Sequence, residues 1–113
     1  MYKDLIAWRK AYKFTLNIYY ATKSYPREEL FGITSQMRRA ASSIPANLAE
    51  GSMYNSAKEF KRYINIARGS MAELEVWLLL SRDLKYIDNE QFSGLSNDLD
   101  EIGKLLNGLL KSL

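Results

Sequence analysis

A proline within a helical pattern is the feature that most constrains the fold of this chain. The apolar residues on both sides of Pro45 keep helical spacing and form one face: Ile33, Met37, Ala40, Ala41, Ile44 and Leu48. Inside a helix, proline removes one backbone hydrogen bond and clashes with the preceding turn, at a cost of about 3 kcal/mol. A structural polar seam runs beside this face and consists of Gln36, Arg39, Ser43, Asn47 and Glu50. The segment predicts a helix that makes a close, specific contact with another helix.

The chain contains four amphipathic helical patterns separated by short breakers. The first is predicted from about Asp4, a candidate N-cap, to Lys23. Its predicted core face consists of Leu5, Trp8, Tyr12, Thr15, Leu16 and Tyr19. The second helix starts between residues 30 and 33 and ends at Gly51, where we expect a left-handed C-terminal residue because glycine tolerates positive φ.

The third and fourth patterns have clear starting signals. Ser56 and Glu59 have the spacing of a capping box, which predicts a long helix to about Leu84. Its predicted core stripe is Phe60, Tyr63, Ile64, Ala67, Met71, Leu74 and Leu78. Gly69 interrupts this helix and weakens it by about 1 kcal/mol unless a partner helix needs the close approach. Asp88 is expected to cap the last helix, whose heptad seam is Phe92, Leu95, Leu99, Ile102, Leu106, Leu109 and Leu113.

These patterns predict an all-α fold, an antiparallel up-down-up-down four-helix bundle. Short connections force consecutive amphipathic helices to run antiparallel, and no segment alternates with the period of a strand. The 113 residues suffice for one core, so we expect a single domain over residues 1–113.

The composition argues against catalysis and against bound cofactors. The chain has no histidine and no cysteine, so it lacks the usual zinc ligands, the commonest general base and the thiol nucleophile. Glu73 and Glu75 are the nearest carboxylate pair, but on a helix they point to different faces. We expect no enzymatic activity, no catalytic residue, no metal and no cofactor. The absence of an apolar span and of a signal core predicts a cytoplasmic protein without membrane contact.

Positive charge is concentrated in the first two thirds of the chain. Residues 1–72 carry twelve Lys and Arg against five Asp and Glu, whereas residues 73–113 carry four against eight. Such asymmetry favours contact with a polyanion, although a solvated helix face explains the basic stripes equally well. The candidate nucleic-acid-binding residues are Lys3, Arg9, Lys10, Lys13, Arg38, Lys58, Lys61, Arg62 and Arg68.

Two further groups of side chains have competing interpretations. Arg38 lies on the flank of the apolar face and is predicted to make an outward contact. Arg39 is predicted to form an ion pair with Glu50 or with an acid of another helix or subunit. Most of the eight tyrosines, among them Tyr12, Tyr19 and Tyr63, are predicted to pack at or near the core rather than to stack on bases.

Three helices carry more apolar residues than one core face needs. The surplus residues are Ala11, Phe14, Ile18, Ile66, Trp77, Leu80, Leu84, Leu105 and Leu110. Extended apolar surface usually marks an interface, so we expect self-association.

The chain resembles a bacterial four-helix bundle family first noticed as products of intervening sequences in 23S ribosomal RNA genes. The resemblance rests on residues 4–11, on Phe31-Gly32-Ile33 followed by Gln36-Met37-Arg38-Arg39-Ala40-Ala41, and on residues 43–51. It continues through Glu59-Phe60, residues 66–70 and Glu73-Leu74-Glu75, and so covers nearly the whole chain.

The resemblance implies an antiparallel four-helix bundle that assembles as a ring-like homopentamer. A related branch, the accessory variability proteins of diversity-generating retroelements, is strongly basic and binds nucleic acid and a reverse transcriptase. The net charge of +3 in this chain disfavours that role. Two functions are therefore expected as alternatives: a non-enzymatic oligomer that binds RNA or DNA, or a scaffold that binds a protein partner without contacting nucleic acid.

Overall fold

The computed structural model describes residues 1–113 and contains helices but no strand. The four long helices are α1 (Ile6–Thr22), α2 (Ile33–Ser52), α3 (Ala57–Asp83) and α4 (Asn89–Ser112). Two short 3-10 helices, Tyr2–Asp4 and Arg27–Glu29, precede α1 and α2. The prediction of an all-α four-helix bundle is confirmed.

Each long helix packs against two others, and the bundle measures 43 × 24 × 20 Å. Consecutive helices are neighbours, α1 packs on α4, and the pairs α1–α3 and α2–α4 lie on the diagonals. Helices α1 and α2 are antiparallel, because Thr22 contacts Arg38 while Thr15, earlier on α1, contacts Ala41, further along α2. Helices α2 and α3 are also antiparallel, because Arg39 contacts Glu73 and Ser43 contacts Ser70.

The core lies along the bundle axis and contains side chains from all four helices. The whole apolar face predicted around Pro45 is buried, and so are Leu95, Leu99, Ile102 and Leu106 of the heptad seam. The predicted stripe of α3 is also buried, apart from Phe60, which packs partly buried against the core. Leu113 at the end of the seam is 37% exposed. Helical periodicity therefore identified the core faces of three helices.

The core face predicted for α1 is wrong, because the buried residues lie one position earlier in the sequence than the predicted ones. The buried positions are Ala7, Ala11, Phe14 and Ile18, whereas Tyr12, Leu16 and Tyr19 are 40–50% exposed. One residue corresponds to a rotation of about 100° around the helix axis. The rotation buries a set of hydrocarbon side chains and leaves the tyrosine hydroxyls in water, which avoids burying polar groups without partners.

The helix ends confirm part of the capping predictions. Asp88 and Gln91 form a complete capping box, with hydrogen bonds of 2.7 and 3.0 Å. At α3, the Ser56 hydroxyl accepts from the Glu59 amide at 3.2 Å, but the Glu59 carboxylate accepts from Arg62 instead of reaching back to the cap. Asp4 does not cap α1, because it lies within the first 3-10 helix.

Gly51 has a different role from the one predicted. It stays within α2 without a positive φ, and a Cβ atom at this position would lie 2.6 Å from Cβ of Tyr63 on α3. The glycine is needed because the backbone of α2 approaches α3 too closely for a side chain. Gly69 has no neighbour within 4 Å of such a Cβ, so no other helix in the chain requires a glycine there.

The carbonyl that Pro45 leaves without its helical donor is bonded by another helix. Pro45 has no N–H to offer the carbonyl of Ala41. The Thr15 hydroxyl of α1 lies 3.1 Å from that carbonyl and 2.8 Å from the carbonyl of Ala11. A threonine on α1 thus compensates for the proline on α2, and this bond is the close interhelical contact that the sequence predicted.

Candidate nucleic-acid interface

The polar seam of α2 is an interhelical contact. Arg39 donates to Glu73 of α3 and to Gln36 of its own helix, and this ion pair with an acid of another helix confirms the prediction for Arg39. The Ser43 hydroxyl bonds that of Ser70 on α3. The Asn47 amide donates to the Ser43 carbonyl at 2.7 Å, so four of the five seam residues make hydrogen bonds through their side chains. Glu50 is exposed and its side chain makes none.

Arg38 is engaged by α1 and is only half-exposed. Its Nε donates to the Thr22 hydroxyl at 2.9 Å, and its Nη2 lies 3.5 Å from the Tyr19 carbonyl. The guanidinium carbon lies 4.7 Å from the centroid of the Tyr19 ring. The outward contact predicted for Arg38 is therefore limited to the part of the guanidinium that these bonds leave free.

The candidate cations of α1 lie next to acidic groups or carbonyl oxygens. Lys10 forms a 2.8 Å ion pair with Glu101 of α4, and Lys13 lines the same cleft together with Asp98. Arg9 donates to the Asp4 carbonyl at 3.4 Å. Lys3, in the first 3-10 helix, is exposed. The Glu101 carboxylate offsets the charge of Lys10, which weakens its attraction for a phosphate, whereas Lys13 forms no ion pair.

The first half of α3 presents its cations differently. We define the α3 basic face as Lys58, Lys61, Arg62 and Arg68, all of which are exposed. Lys58, Lys61 and Arg62 line an open groove of about 520 Å³ together with Glu59 and Asn65. Arg62 donates to Glu59 at 3.1 Å and Arg68 donates to Asn65 at 3.1 Å, whereas the two lysines make no hydrogen bond or ion pair within the chain.

Tyr54, which the sequence did not single out, is linked to the α3 basic face through Tyr63. It lies 48% exposed in the connection between α2 and α3 and stacks on Tyr63 with ring centroids 5.5 Å apart. The two hydroxyls are 3.4 Å apart, and this bond raises the pKa of Tyr54. Arg62 lies over the Tyr63 ring at 4.5 Å. The sequence signal that could have identified Tyr54 is its place in a short connection immediately before a basic helix.

The tyrosines divide into buried and exposed groups. Tyr63 is buried, in agreement with the packing prediction. For Tyr12 and Tyr19 that prediction is wrong, because their side chains are 50% and 40% exposed. No three potential metal-ligating side chains come together in the structure. None of its helices combines the length and the apolar character needed to cross a membrane.

The fold and this surface define a small antiparallel helical bundle with a cationic groove along one helix. A family model described as 23S rRNA-intervening sequence protein matches residues 3–108. The chain belongs to this family, which confirms the resemblance seen in the sequence.

A solved structure supports the same assignment. A protein of unknown function from the S23 ribosomal protein family of Bacteroides thetaiotaomicron is 32% identical to this chain, and its crystal structure superposes with a TM-score of 0.87. The match covers 98% of this chain and 99% of that protein. No match was found among curated proteins.

Proposed function

We propose that the protein is a non-enzymatic, oligomeric, cytoplasmic bundle that binds RNA through the α3 basic face. The observation that carries this proposal is the pair of exposed lysines, Lys58 and Lys61, that have no partner in the chain and line an open groove. The description of the family, which names an intervening sequence of 23S rRNA, makes RNA the polyanion to test first.

Unpaired surface lysines suit phosphate contacts for a physical reason. Binding of a cation to a nucleic-acid backbone releases condensed counterions, and the gain does not depend on base sequence. A lysine that already has a carboxylate partner must give up that partner first. The α3 basic face therefore contributes more to binding than Lys10, which is paired with Glu101.

Tyr54 adds a means of holding single-stranded bases beside the phosphates. Its ring is about half exposed, and the stack with Tyr63 fixes its orientation. Stacking of a base on an exposed aromatic ring contributes about 1–3 kcal/mol and tolerates any sequence. The expected ligand is structured RNA with an accessible loop.

The test measures RNA affinity by fluorescence anisotropy at two salt concentrations. A double variant, Lys58→Gln with Lys61→Gln, removes two phosphate contacts and is expected to reduce the slope of log K against log salt by about 1.4–1.8. The control, Lys10→Gln, removes one lysine that is already paired with Glu101, and each single variant, Lys58→Gln or Lys61→Gln, is expected to weaken binding more than it does. An absence of affinity at low salt, or an affinity insensitive to salt, contradicts the proposal.

Self-association is the second part of the proposal and rests on exposed apolar surface. The outward side of α1 exposes Tyr12, Leu16 and Tyr19. Val76 of α3 and Leu84, which directly follows α3, are about half exposed. A bundle monomer leaves this surface in water, whereas oligomerisation buries it. The family resemblance implies a homopentamer. Native mass spectrometry tests it, and a monomer at micromolar concentration contradicts it.

A protein-binding scaffold is the alternative function. Phe31, in the connection between α1 and α2, is 90% exposed and lies beside Leu30 at 47%. Exposed aromatic residues are frequent anchors of protein interfaces. Under this alternative, a specific protein partner stays bound after nuclease treatment and is lost from a Phe31→Ser variant, while the α3 variants bind it normally.

A further inference from the structure

A pocket between the end of α1 and the start of α2 is separate from the α3 basic face. The loop pocket, as we name it, has a volume of about 410 Å³, within the usual range for small-ligand sites. It is lined by Thr22, Lys23, Tyr25, Pro26, Arg27, Leu30, Thr34 and Arg38. Three of these residues carry a positive charge and none carries a negative charge.

The charges of the loop pocket are not compensated within the chain. Lys23, Arg27 and Arg38 form no ion pair. Glu29, in the same connection, accepts a 2.8 Å hydrogen bond from the Tyr86 hydroxyl and lies 3.5 Å from the Ile33 amide. Its carboxylate is thereby held at the start of α2, outside the pocket lining.

Arg38 is held in position before any ligand arrives. Its Nε donates to the Thr22 hydroxyl and its Nη2 to the Tyr19 carbonyl, so two of its five N–H groups are used and three remain. The guanidinium carbon also lies over the Tyr19 ring. A guanidinium with fixed orientation loses little entropy when it binds a planar or tetrahedral oxyanion.

Thr34 provides a second, independent observation. The residue is 3% exposed, lines the pocket next to Arg38, and its hydroxyl has no hydrogen-bond partner. A buried hydroxyl without a partner is costly. The Thr34 oxygen is closed to solvent in the free protein, so a ligand oxygen removes that cost when the pocket wall opens to it.

We propose that the loop pocket binds a phosphate monoester, with Arg38 and Thr34 contacting its oxygens and Lys23 and Arg27 closing over it. Tyr25, Pro26 and Leu30 supply an apolar wall for the organic part of the ligand. The phosphate group comes from one of two sources, a small phosphorylated molecule or the 5′ end of a nucleic-acid strand. The proposal does not depend on RNA binding at the α3 basic face.

The first experiment titrates inorganic phosphate into the full chain and follows the amide and Arg Nε–H signals by ¹H–¹⁵N NMR. We expect saturable shifts at Thr34 and Arg38 that sodium chloride at equal ionic strength does not produce. The double variant Lys23→Gln with Arg27→Gln changes only exposed side chains and is expected to weaken binding about five-fold. The control Lys111→Gln, which removes an exposed charge from α4, leaves it unchanged.

Two further variants separate a built site from general attraction. Thr34→Val keeps the shape of the side chain and removes the hydroxyl, so phosphate binding is expected to weaken while the fold, followed by circular dichroism, is retained. Shifts equal to those of chloride overturn the proposal, and so does binding that the Lys23 and Arg27 changes leave intact.

The second experiment identifies the source of the phosphate. A short RNA with a 5′-phosphate and its 5′-hydroxyl twin are compared at the loop pocket signals. If only the phosphorylated strand shifts them, the ligand is a strand terminus; if neither does while inorganic phosphate binds, the ligand is a small phosphorylated molecule. These signals are distinct from those of Lys58 and Lys61, so failure of one site is not confused with failure of the other.

Discussion

The two helices on the diagonal of the bundle, α2 and α4, both lie between α1 and α3 but pack by different means. On α2, small residues are buried among the larger ones: Ala40, Ala41 and Gly51 lie at the contact, and Gly51 leaves no room for a Cβ. On α4 the contacting residues are large, with Leu99 and Leu106 fully buried. Small residues bring helix backbones together, whereas leucines hold them apart and fill the space between them.

The two helices also differ in the hydrogen bonds and clefts at their contacts with α1 and α3. Hydrogen bonds join α2 to α1 through Thr15 and to α3 through Ser43 and Arg39. Along α4 run a polar cleft of about 240 Å³ at the contact with α1 and a more apolar cleft of about 290 Å³ at the contact with α3. One ion pair, Lys10 with Glu101, joins α4 to α1. Added volume and lost hydrogen bonds are therefore expected to destabilise the contacts of α2, whereas the contacts of α4 depend mainly on the volume of its leucines.

Truncation of the α4 seam is expected to have the largest effect. Leu99→Ala removes a side chain that is 1% exposed and leaves a cavity, with an expected loss of about 2–5 kcal/mol in the free energy of unfolding. Urea denaturation followed by circular dichroism measures it. The control is Leu113→Ala on the same seam, where a side chain 37% exposed predicts a loss below about 0.5 kcal/mol. Equal losses at both positions contradict the packing assigned to α4.

Added volume on α2 is expected to come next. Gly51→Ala places a Cβ against Tyr63 of α3, and we expect a loss of about 1–3 kcal/mol despite the better helix propensity of alanine. Gly69→Ala, in open space on α3, is expected to gain up to about 1 kcal/mol. The same denaturation measurement decides. A stabilised Gly51→Ala protein would show that the two backbones separate at little cost.

The smallest of the three effects concerns the hydrogen bond across α1 and α2. Thr15→Val leaves the Ala41 carbonyl without its donor, at an expected cost of about 1–2 kcal/mol. Pro45→Ala restores the helical N–H to that carbonyl, so the Thr15→Val cost measured in the Pro45→Ala background is expected to fall by at least half. A double-mutant cycle tests this, and purely additive losses would mean that the hydroxyl serves only Ala11.

Sequence periodicity predicted the fold because three helices bury one clear stripe. It failed on α1, where apolar side chains cover more than half of the circumference and two overlapping stripes differ by one residue. Periodicity ranks such stripes by size and hydrophobicity, so it chose the face with Trp8, Tyr12 and Leu16. The structure instead buries Ala7, Ala11 and Phe14. Which polar atoms of α1 lose contact with water depends on which helices become its neighbours, and the sequence pattern does not contain that information.

The candidate sites were predictable to a smaller extent. Sequence listed the cations but not their partners: the pairing of Lys10 with Glu101 and the freedom of Lys58 depend on which helices become neighbours. The loop pocket was not predicted at all. It joins Thr22 and Lys23 to Thr34 and Arg38 across a connection that carries no recognisable motif. Residues brought together by a turn have no fixed spacing that a pattern can detect.

The bond between Thr15 and the Ala41 carbonyl also fixes the axial register of two helices. Apolar side chains alone permit one helix to slide along another by a turn of about 5.4 Å, because the stripes repeat. Pro45 creates a single unsatisfied acceptor on α2, and only one hydroxyl of α1 reaches it. If either helix slid along the other, the Ala41 carbonyl would lose its donor and remain buried away from water. Pro45 therefore selects one alignment of α1 and α2. The contact of Arg38 with Thr22 and the position of the loop pocket depend on that alignment.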